Sequence, residues 1–439
     1  MKETCLNFCT SGVPLEWLPE LFPKQQVNMS TLPLEEFSNG SFFEKGDHSD
    51  QKVLFGEGIS STIGVHTKKL GKHALLVSDS GIRNAGHVER VQKLIESADV
   101  RVTVFDQSIE NPTESSVAKC ASIARDAKVD IIVGLGGGSS MDTAKGCNFL
   151  LTNGGKMEDF WGVGKAELPM LPLIAIPTTA GTGSECQSFA LISHDQTHAK
   201  MACGDPKALP AITLLDPELT LSQPVSVSAC TGVDALAHAL ESAVTRKRCD
   251  RSSRHAKIAF KLLNQSLPIL FNDPNDLPAR GEALLGASHA GAAIEQSMLG
   301  AAHSMANPLT ARYGTIHGIA VGMSLPWVMK FNAEMIECQK IYADFARTVG
   351  IIGEQSTDSE ATDMLIKRVE ELLIMAKLST FQNGLDFDQS VIPELAESAA
   401  KQWTAGFNPR SIEACDFEFL YSQLFKNCLV ESTAQEGVV

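Results

Sequence analysis

The chain has 439 residues, of which 44% are hydrophobic and 20% charged, and these values exclude disordered, collagen-like and coiled-coil proteins. Lys and Arg number 37 against 52 Asp and Glu, so the net charge of −15 disfavours nucleic acid and anionic membrane surfaces as partners. The sequence contains no apolar run of about 20 residues and no signal-peptide pattern, and its 11 cysteines form no CxxC pair. We therefore expect a soluble, cytoplasmic protein with reduced thiols and no membrane contact.

Hydrophobic patterning divides the chain into three regions. Residues 1–50 show no sustained period, which predicts an irregular N-terminal extension. From 51 to 220, apolar runs such as HALLVSD, VDIIVGL and PLIAIPTT alternate with helical patterns, and this alternation favours a parallel α/β sheet. From 221 to 439 the strand signal disappears and long helical patterns follow. No long Gly/Ser linker separates the last two regions, so we expect a tight interface, where ligand sites are favoured.

A glycine-rich segment, GLGGGSSMDTAKG, follows the apolar run VDIIV and opens a helical pattern. Glycines let backbone N–H groups approach a pyrophosphate, and the N-terminus of the following helix favours its negative charge. The spacing differs from the Rossmann fingerprint GxGxxG, because Ser139 stands three residues after Gly136, and it lacks the GK[ST] of a P-loop. The segment predicts a phosphate-binding loop, with a tight turn that binds no ligand as the alternative. Its residues are Gly136, Gly137, Gly138 and Ser139.

Two other polar positions also follow apolar runs. Asp79 ends ALLVSD, where a carboxylate can accept the ribose 2′-OH of NAD and repel the 2′-phosphate of NADP, although a turn or N-cap role is more common. The segment PTTAGTGSE, residues 177–185, follows LIAI. Its hydroxyls either line a phosphate or ribose or cap the loop locally.

The sharpest pattern combines Asp234 and His238 in TGVDALAHALES with His303 and His317. A separation of four residues places Asp234 and His238 on one helix face, so both can reach one ion. The two later histidines lie among small residues, which leave room for close approach. One carboxylate and three imidazoles suit Fe(II) or Zn(II), with a position left for a substrate oxygen. A solvated or satisfied core pair is the alternative, and for His289 core packing is the favoured interpretation.

In chain order, GGGSSMDTAK, AIPTTAGTGSE, GVDALAHALE and GAAHSMANPLTARYGTIHGIAVGM resemble the iron-containing (group III) alcohol dehydrogenase family, as does FNPR at 407–410. The resemblance covers roughly 53–425. It implies the dehydroquinate synthase-like architecture, with a Rossmann-like α/β domain that binds NAD(P) at 51–220. An all-α domain at 221–439 would hold a divalent ion, and the active site would lie between the two. Dimers are usual in this family.

Site residues follow from this resemblance position by position. It implies that Asp234, His238, His303 and His317 bind Fe(II) or Zn(II), and that Asp79 favours NAD over NADP. The pyrophosphate would bind at Gly136–Ser139, and further cofactor contacts are implied at Asp142, Lys145, Thr178, Thr179, Thr182 and Lys200.

Asn307 departs from the family pattern, because many members have a histidine there, beside the substrate. Metal binding is expected to survive this difference, whereas the proton relay and the substrate range are open, since an amide does not titrate near neutral pH. Arg312 nearby either favours an anionic substrate or lies on a solvated face.

The activity implied is that of a metal-dependent, NAD(P)-linked alcohol dehydrogenase acting on a small alcohol or carbonyl compound. The ion would act as a Lewis acid while hydride passes to the nicotinamide. Three alternatives remain open. They are a hydroxyacid–oxoacid transhydrogenase of the same fold, a relative of dehydroquinate synthase without net NADH formation, and a catalytically silent metal-binding scaffold.

Overall fold

A six-stranded parallel sheet occupies the N-terminal half of the protein in a computed structural model. The structure describes residues 51–197, 199–378 and 388–436, with side chains as far as residue 426, so the extension predicted for residues 1–50 lies outside the described residues. The strands are β1 (Lys52–Phe55), β2 (His73–Val77), β3 (Arg101–Phe105), β4 (Ile131–Gly136), β5 (Gly162–Val163), β6 (Leu173–Pro177), β7 (Phe189–Ser193), β8 (Lys200–Gly204) and β9 (Ile212–Leu215).

The large sheet has the order β1-β9-β6-β4-β2-β3, and every pair in it is parallel. Successive residues of β2 pack on opposite faces: Leu75 and Val77 join one apolar cluster and Ala74 and Leu76 the other. A strand buried on both faces reads as a continuous apolar run, which is why the sequence signal was strong here. The expected parallel α/β sheet is thus confirmed.

A second, smaller sheet was not predicted. It has the order β5-β8-β7, and β7 and β8 form an antiparallel hairpin. The apolar runs in β7 (FALI) and β8 (MAC) are only four and three residues long, and β5 has only two residues, so they give a weaker signal than the strands of the larger sheet.

Helices flank the sheet in the N-terminal half. They are α1 (Ile63–Leu70), α2 (Ser80–Asn84), α3 (His87–Glu96), α4 (Glu114–Ala127) and α5 (Gly138–Asn153). From residue 221 onward the described residues form helices and the connections between them, as expected. These helices are α6 (Val225–Val244), α7 (Asp250–Asn272), α8 (Leu277–Ser297), α9 (Ala301–Tyr313), α10 (His317–Asn332), α11 (Ile336–Thr348), α12 (Asp358–Met375), α13 (Ile392–Ala400) and α14 (Ala414–Glu436).

The chain reverses its direction of travel across the sheet between β2 and β4. After β2 it adds β3 on one side, and it then returns to place β4 on the other side of β2. In open α/β sheets, ligands bind in the crevice outside the carboxyl ends of the strands at such a switch point. Asp79 follows β2 and the glycine loop (Gly136–Ser139) follows β4, so both predicted cofactor elements flank this crevice.

Segment 177–185, the threonine loop, lies directly against the helices of the C-terminal half. A Cβ added to Gly183 would stand 2.5 Å from Gly291 Cα on α8, and one added to Gly181 would stand 2.4 Å from Thr231 Cβ on α6. Contacts this close agree with the tight interface expected from the missing linker. The described residues belong to one compact unit, Gly40–Val439, and the domain boundary near residue 220 stays a prediction. None of the described helices combines the length and apolar character needed to span a membrane.

Candidate active site

The glycine loop joins β4 to the N-terminus of α5. Gly136 has a φ of +145°, which L side chains rarely adopt, and a Cβ there would lie 2.6 Å from Ser140 Oγ. Gly137, Gly138 and Ser139 are only partly buried, so their backbone can meet a ligand. The first N–H groups of a helix have no acceptor within it, and these donors can bind an anion.

Asp79 has two partners. Its Oδ1 accepts a hydrogen bond from the Ile82 backbone N–H at 3.0 Å and thereby caps α2, while its Oδ2 accepts one from Ser140 Oγ at 3.0 Å. The N-cap role considered from the sequence is therefore present. The second bond ties Asp79 to the first turn of α5, beside the glycine loop.

The threonine loop forms the opposite wall of this crevice. A Cβ added to Gly138 would stand 2.7 Å from Thr182 Cγ2, and one added to Gly137 would stand 3.3 Å from Thr179 Cγ2. Thr178 is buried and its Oγ1 has no hydrogen-bond partner within the described structure. The glycine loop and the threonine loop are therefore in direct contact, and the absence of a side chain at Gly137 and Gly138 permits it.

Lys145 lies on α5, next to the threonine loop, and is fully buried. Its Nζ donates three hydrogen bonds of 2.7 Å, to Ser184 O, Ser184 Oγ and Phe189 O. Ser184 Oγ in turn donates to Asp142 Oδ1 at 2.8 Å. All three ammonium hydrogens have protein acceptors, so a contact between Lys145 and a cofactor would require these bonds to break. In this arrangement Lys145 and Asp142 anchor the end of the threonine loop to α5.

Lys200 begins β8 and differs from Lys145. It is partly buried, and burial lowers its pKa although the carboxylates of Asp142 and Asp234 favour the charged form. Both carboxylates are within electrostatic range of its ammonium. Lys200 therefore feels the charge of one carboxylate on α5 and of one of the four residues predicted to bind the metal.

Those four residues, Asp234, His238, His303 and His317, come together in one cluster, the candidate metal site. Asp234 Oδ1 lies 3.5 Å from His238 Nε2, 3.3 Å from His303 Nε2 and 3.9 Å from His317 Nε2. Asp234 and His238 stack on one face of α6, while His303 lies in the first turn of α9 and His317 begins α10. The first three are buried, whereas the His317 side chain is 30% exposed and marks the open side of the cluster.

The donor set fits a divalent ion. Asp234 Oδ1 and His303 Nε2 are both buried without a hydrogen-bond partner in the described structure, which is costly for polar atoms. Two atoms bound to one tetrahedral ion at 2.0–2.1 Å lie about 3.4 Å apart, close to the observed spacings. An ion among the three imidazoles and the carboxylate would satisfy these atoms together.

Burial and charge set the protonation of this cluster. Burial lowers the pKa of His238 to about 4 against the attraction of Asp234, so its imidazole is neutral and has a free lone pair. For His303 burial acts in the same direction, but the carboxylates of Glu241 and Asp234 outweigh it and raise the pKa to about 9. The imidazoles hold the pKa of Asp234 well below its usual range despite burial. A metal ion and a proton therefore compete for His303.

Comparison with known proteins accounts for both halves of this arrangement. Residues 50–217 match the family described as iron-containing alcohol dehydrogenase, and residues 228–425 match the C-terminal region of the Fe-containing alcohol dehydrogenase family. The chain belongs to the iron-containing alcohol dehydrogenase family. It is therefore an oxidoreductase that acts on CH–OH groups, and the family implies a metal ion and NAD(H).

Relatives in this family cover nearly the whole folded body. Alcohol dehydrogenase 4 of Schizosaccharomyces pombe is 34% identical over 386 residues, which cover 88% of each chain. The NAD-dependent methanol dehydrogenase of Bacillus methanolicus is 32% identical over 378 residues, covering 86% of this chain and 97% of that protein. The crystal structure of a 1,3-propanediol oxidoreductase is similar with a TM-score of 0.82 at 29% identity, covering 85% of this chain and 97% of that one.

The position that departs from the family pattern, Asn307, lies one turn after His303 on the same face of α9. Its Nδ2 donates to Gln402 Oε1 at 3.0 Å, so an amide pair occupies the position where the family pattern has a histidine. Arg312 is exposed, pairs with Glu394 at 2.9 Å and lies over the Tyr313 ring, which matches the solvated-face interpretation. His289 packs against His255 with their Nδ1 atoms 2.8 Å apart, as expected for a core residue.

Sequence reasoning missed Glu241. This residue is 3% exposed and lies on α6, seven residues after Asp234 and therefore on the same helix face. One of its carboxylate oxygens accepts the Nδ1–H of His303 and the other accepts the Ala302 backbone N–H. The spacing to Asp234 and His238 was a usable signal, because a buried carboxylate on a metal-binding face commonly orients a ligand.

Proposed function

We propose that this enzyme interconverts short alcohols or diols and their carbonyl compounds with NAD, using one ion held by Asp234, His238, His303 and His317. The observation that carries this proposal is the convergence of three imidazole Nε2 atoms on one unpartnered buried carboxylate oxygen. Relatives named as methanol dehydrogenase, 1,3-propanediol dehydrogenase and lactaldehyde reductase support small, polar substrates.

The ion would supply positive charge that lowers the pKa of an alcohol, so that no strong protein base is needed. Fe(II) is favoured over Zn(II) by the family, although the same N and O donors bind either ion. The protein contributes neutral imidazoles at His238 and His317, whose pKa values burial lowers to about 4 and about 3, and a compensating carboxylate at Asp234. His317 is partly exposed and lies on the open side of the cluster. Asn307 adds a polar but non-titrating group near this opening, which fits a reaction without a histidine relay.

For the cofactor, we propose that the pyrophosphate binds to the glycine loop, and that Thr178, Thr179 and Thr182 contact the nucleotide from the opposite wall. The carboxylate of Asp79 would accept the ribose 2′-OH and so favour NAD over NADP. Lys200 would reach the nicotinamide side, and Asp142 acts through Ser184. We leave Lys145 out of the contacting set because its three donors are already used.

Three further features of the whole protein complete the proposal. We propose a cytoplasmic location, a homodimer, and a division near residue 220 into an α/β cofactor domain and a helical metal domain. Matches to two separate family regions, 50–217 and 228–425, support this division.

The test is metal content of protein purified without chelator, combined with NADH absorbance on a panel of short alcohols, diols, hydroxy acids and their carbonyl partners. About one ion per chain and NADH formation that depends on added Fe(II) or Zn(II) are expected. Bound metal and copurifying nicotinamide without net NADH would replace the dehydrogenase by a transhydrogenase. Absence of metal binding would refute the four-residue site.

A further inference from the structure

The first turn of α9, which carries His303, has no capping side chain of its own. The N-cap position is Gly300, and no local side chain accepts its free N–H groups. Two remote side chains replace the cap. Asn408 Oδ1 accepts the Ala301 N–H at 3.4 Å, and Glu241 Oε1 accepts the Ala302 N–H at 2.7 Å. This turn is thus held by α6 and by the C-terminal segment instead of by its own sequence.

Gly300, which has no Cβ, leaves room for both acceptors. A Cβ at this position would stand 3.1 Å from Glu241 Oε1 and 3.1 Å from Asn408 Oδ1. The two acceptors therefore close in on the turn from both sides. Asn408 is itself fixed by a reciprocal amide pair with Asn332, at 2.9 and 3.1 Å, and this gives the FNPR segment a structural role.

Glu241 uses both carboxylate oxygens on neighbouring donors. The backbone N–H of Ala302 can only donate, so it fixes Oε1 as an acceptor. Oε2 accepts from His303 Nδ1, which places a proton on Nδ1. The Nε2 of the same ring then faces Asp234 Oδ1 at 3.3 Å and is available to an ion.

We propose that Glu241 is a positioning residue that selects the tautomer of His303, so that Nε2 and not Nδ1 binds the metal. The inference rests on the proposed function, because it assumes the metal site. Its physical basis is the hydrogen bond from the Ala302 N–H to Oε1, which holds the carboxylate in place with Oε2 directed at His303 Nδ1. Metal ligands of this kind commonly donate their second ring N–H to a carboxylate.

Glu241→Gln tests this with almost no change of shape. A glutamine has one acceptor and one donor at its tip, and the Ala302 N–H demands the acceptor. The amide NH₂ would then face His303 Nδ1 and force that nitrogen to accept. The proton would move to Nε2, which then could not bind an ion. We expect the Kd for Co(II), measured by chelator competition on the full chain, to rise by about 10- to 100-fold or more.

Thr404→Val is the matched control. Thr404 Oγ1 contacts Ser304 Oγ at 2.7 Å, so it joins the same helix to the same C-terminal segment and is equally buried. Ser304 keeps its bond to Gly300 O in this variant. We expect a small loss of thermal stability with unchanged Co(II) affinity. A purely structural role for Glu241 would make its glutamine variant behave in the same way.

A second measurement needs no variant. In the Zn(II)-loaded wild-type protein with ¹⁵N-labelled histidine, NMR should show His303 protonated at Nδ1 and bound to the metal through Nε2. Metal binding through Nδ1, or a Co(II) affinity of Glu241→Gln within about threefold of wild type, would overturn the inference while leaving the metal site standing. A wild-type protein that binds no metal would instead refute the proposed function.

Discussion

The two halves of the molecule build their parts of the active site from different materials. In the α/β half, the crevice proposed for the cofactor is flanked by the Asp79 carboxylate after β2, the backbone of the glycine loop after β4 and the hydroxyl side chains of the threonine loop after β6. In the helical half, the candidate metal site consists of charged and titratable side chains, most of them buried, from three helices. The first kind of site is assembled where strands end, whereas the second depends on how distant helices pack.

This contrast explains why partners are local in one half and remote in the other. Asp79 caps the helix that follows it directly by accepting a hydrogen bond from Ile82, three residues later, and such a local cap can be predicted from the sequence. His303, in contrast, depends on Glu241, 62 residues earlier, and the start of its helix depends on Asn408, 107 residues later. Buried charge must be paired to be tolerated, and His303 receives this pairing from a residue that is distant in the chain.

Loss of a metal ligand should give the largest effect. Asp234→Ala removes the oxygen on which the three imidazoles converge, leaving their lone pairs without a common ion. We expect metal binding to be lost and kcat/KM to fall by at least about a hundredfold. Metal analysis and NADH absorbance measure both. His73→Gln is the control, since this buried histidine begins β2, at the end of the strand away from Asp79. Full activity in metal-free Asp234→Ala protein would contradict the prediction.

A side chain in the glycine loop should damage the other half alone. In Gly138→Ala the new methyl group would stand 2.7 Å from Thr182 Cγ2, so the glycine loop and the threonine loop must move apart. We expect NAD affinity to fall about tenfold, roughly 1.4 kcal/mol, with metal content unchanged. Titration of NAD binding measures this. Gly353→Ala serves for comparison, because its Cβ would meet nothing within 4 Å. A parallel loss of metal would show that the halves are not independent.

Removal of one charge should change cofactor choice more than catalysis. Asp79→Asn keeps an N-cap acceptor for Ile82 N–H but removes the carboxylate. We expect the preference for NAD over NADP, measured as a ratio of kcat/KM, to fall several-fold. Asp79→Gly should relax it similarly and, because glycine is the weaker cap, cost a few tenths of a kcal/mol of stability. An unchanged ratio in both variants would remove Asp79 from cofactor recognition.

The smallest effect concerns a buried carboxyl in the helical half. Burial raises the pKa of Glu282 on α8 to about 7, with Asp276 adding to the shift. The folded state thus binds this proton more tightly than the unfolded chain, and the associated stability is lost as pH rises from about 4.5 through 7. Glu282→Gln should flatten this dependence and gain on the order of 1 kcal/mol at pH 8 relative to wild type. Urea unfolding at pH 5 and pH 8 decides the matter, and parallel pH profiles of the two proteins would contradict it.

The sequence by itself determined the class of fold and most of the large sheet. Runs such as those of β2 and β4 are buried on both faces, so their apolar signal is continuous and needs no knowledge of neighbours. The glycine loop could also be recognised from the sequence alone, because a turn with no room for side chains requires glycine residues. The order of the motifs also identified the family. By contrast, the small sheet escaped notice because β5 has only two residues and the apolar runs of β7 and β8 are only four and three residues long.

Only the tertiary structure decided how the predicted residues are used. The family resemblance implies a cofactor contact for Lys145, and in the folded chain its ammonium donates hydrogen bonds to Ser184 and Phe189. Glu241 looks like one more helix-surface glutamate, yet it is buried against His303. The physical reason is common to both. A charged side chain takes its role from the groups that neutralise it, and those groups lie far away in the chain and meet it only after the helices have packed.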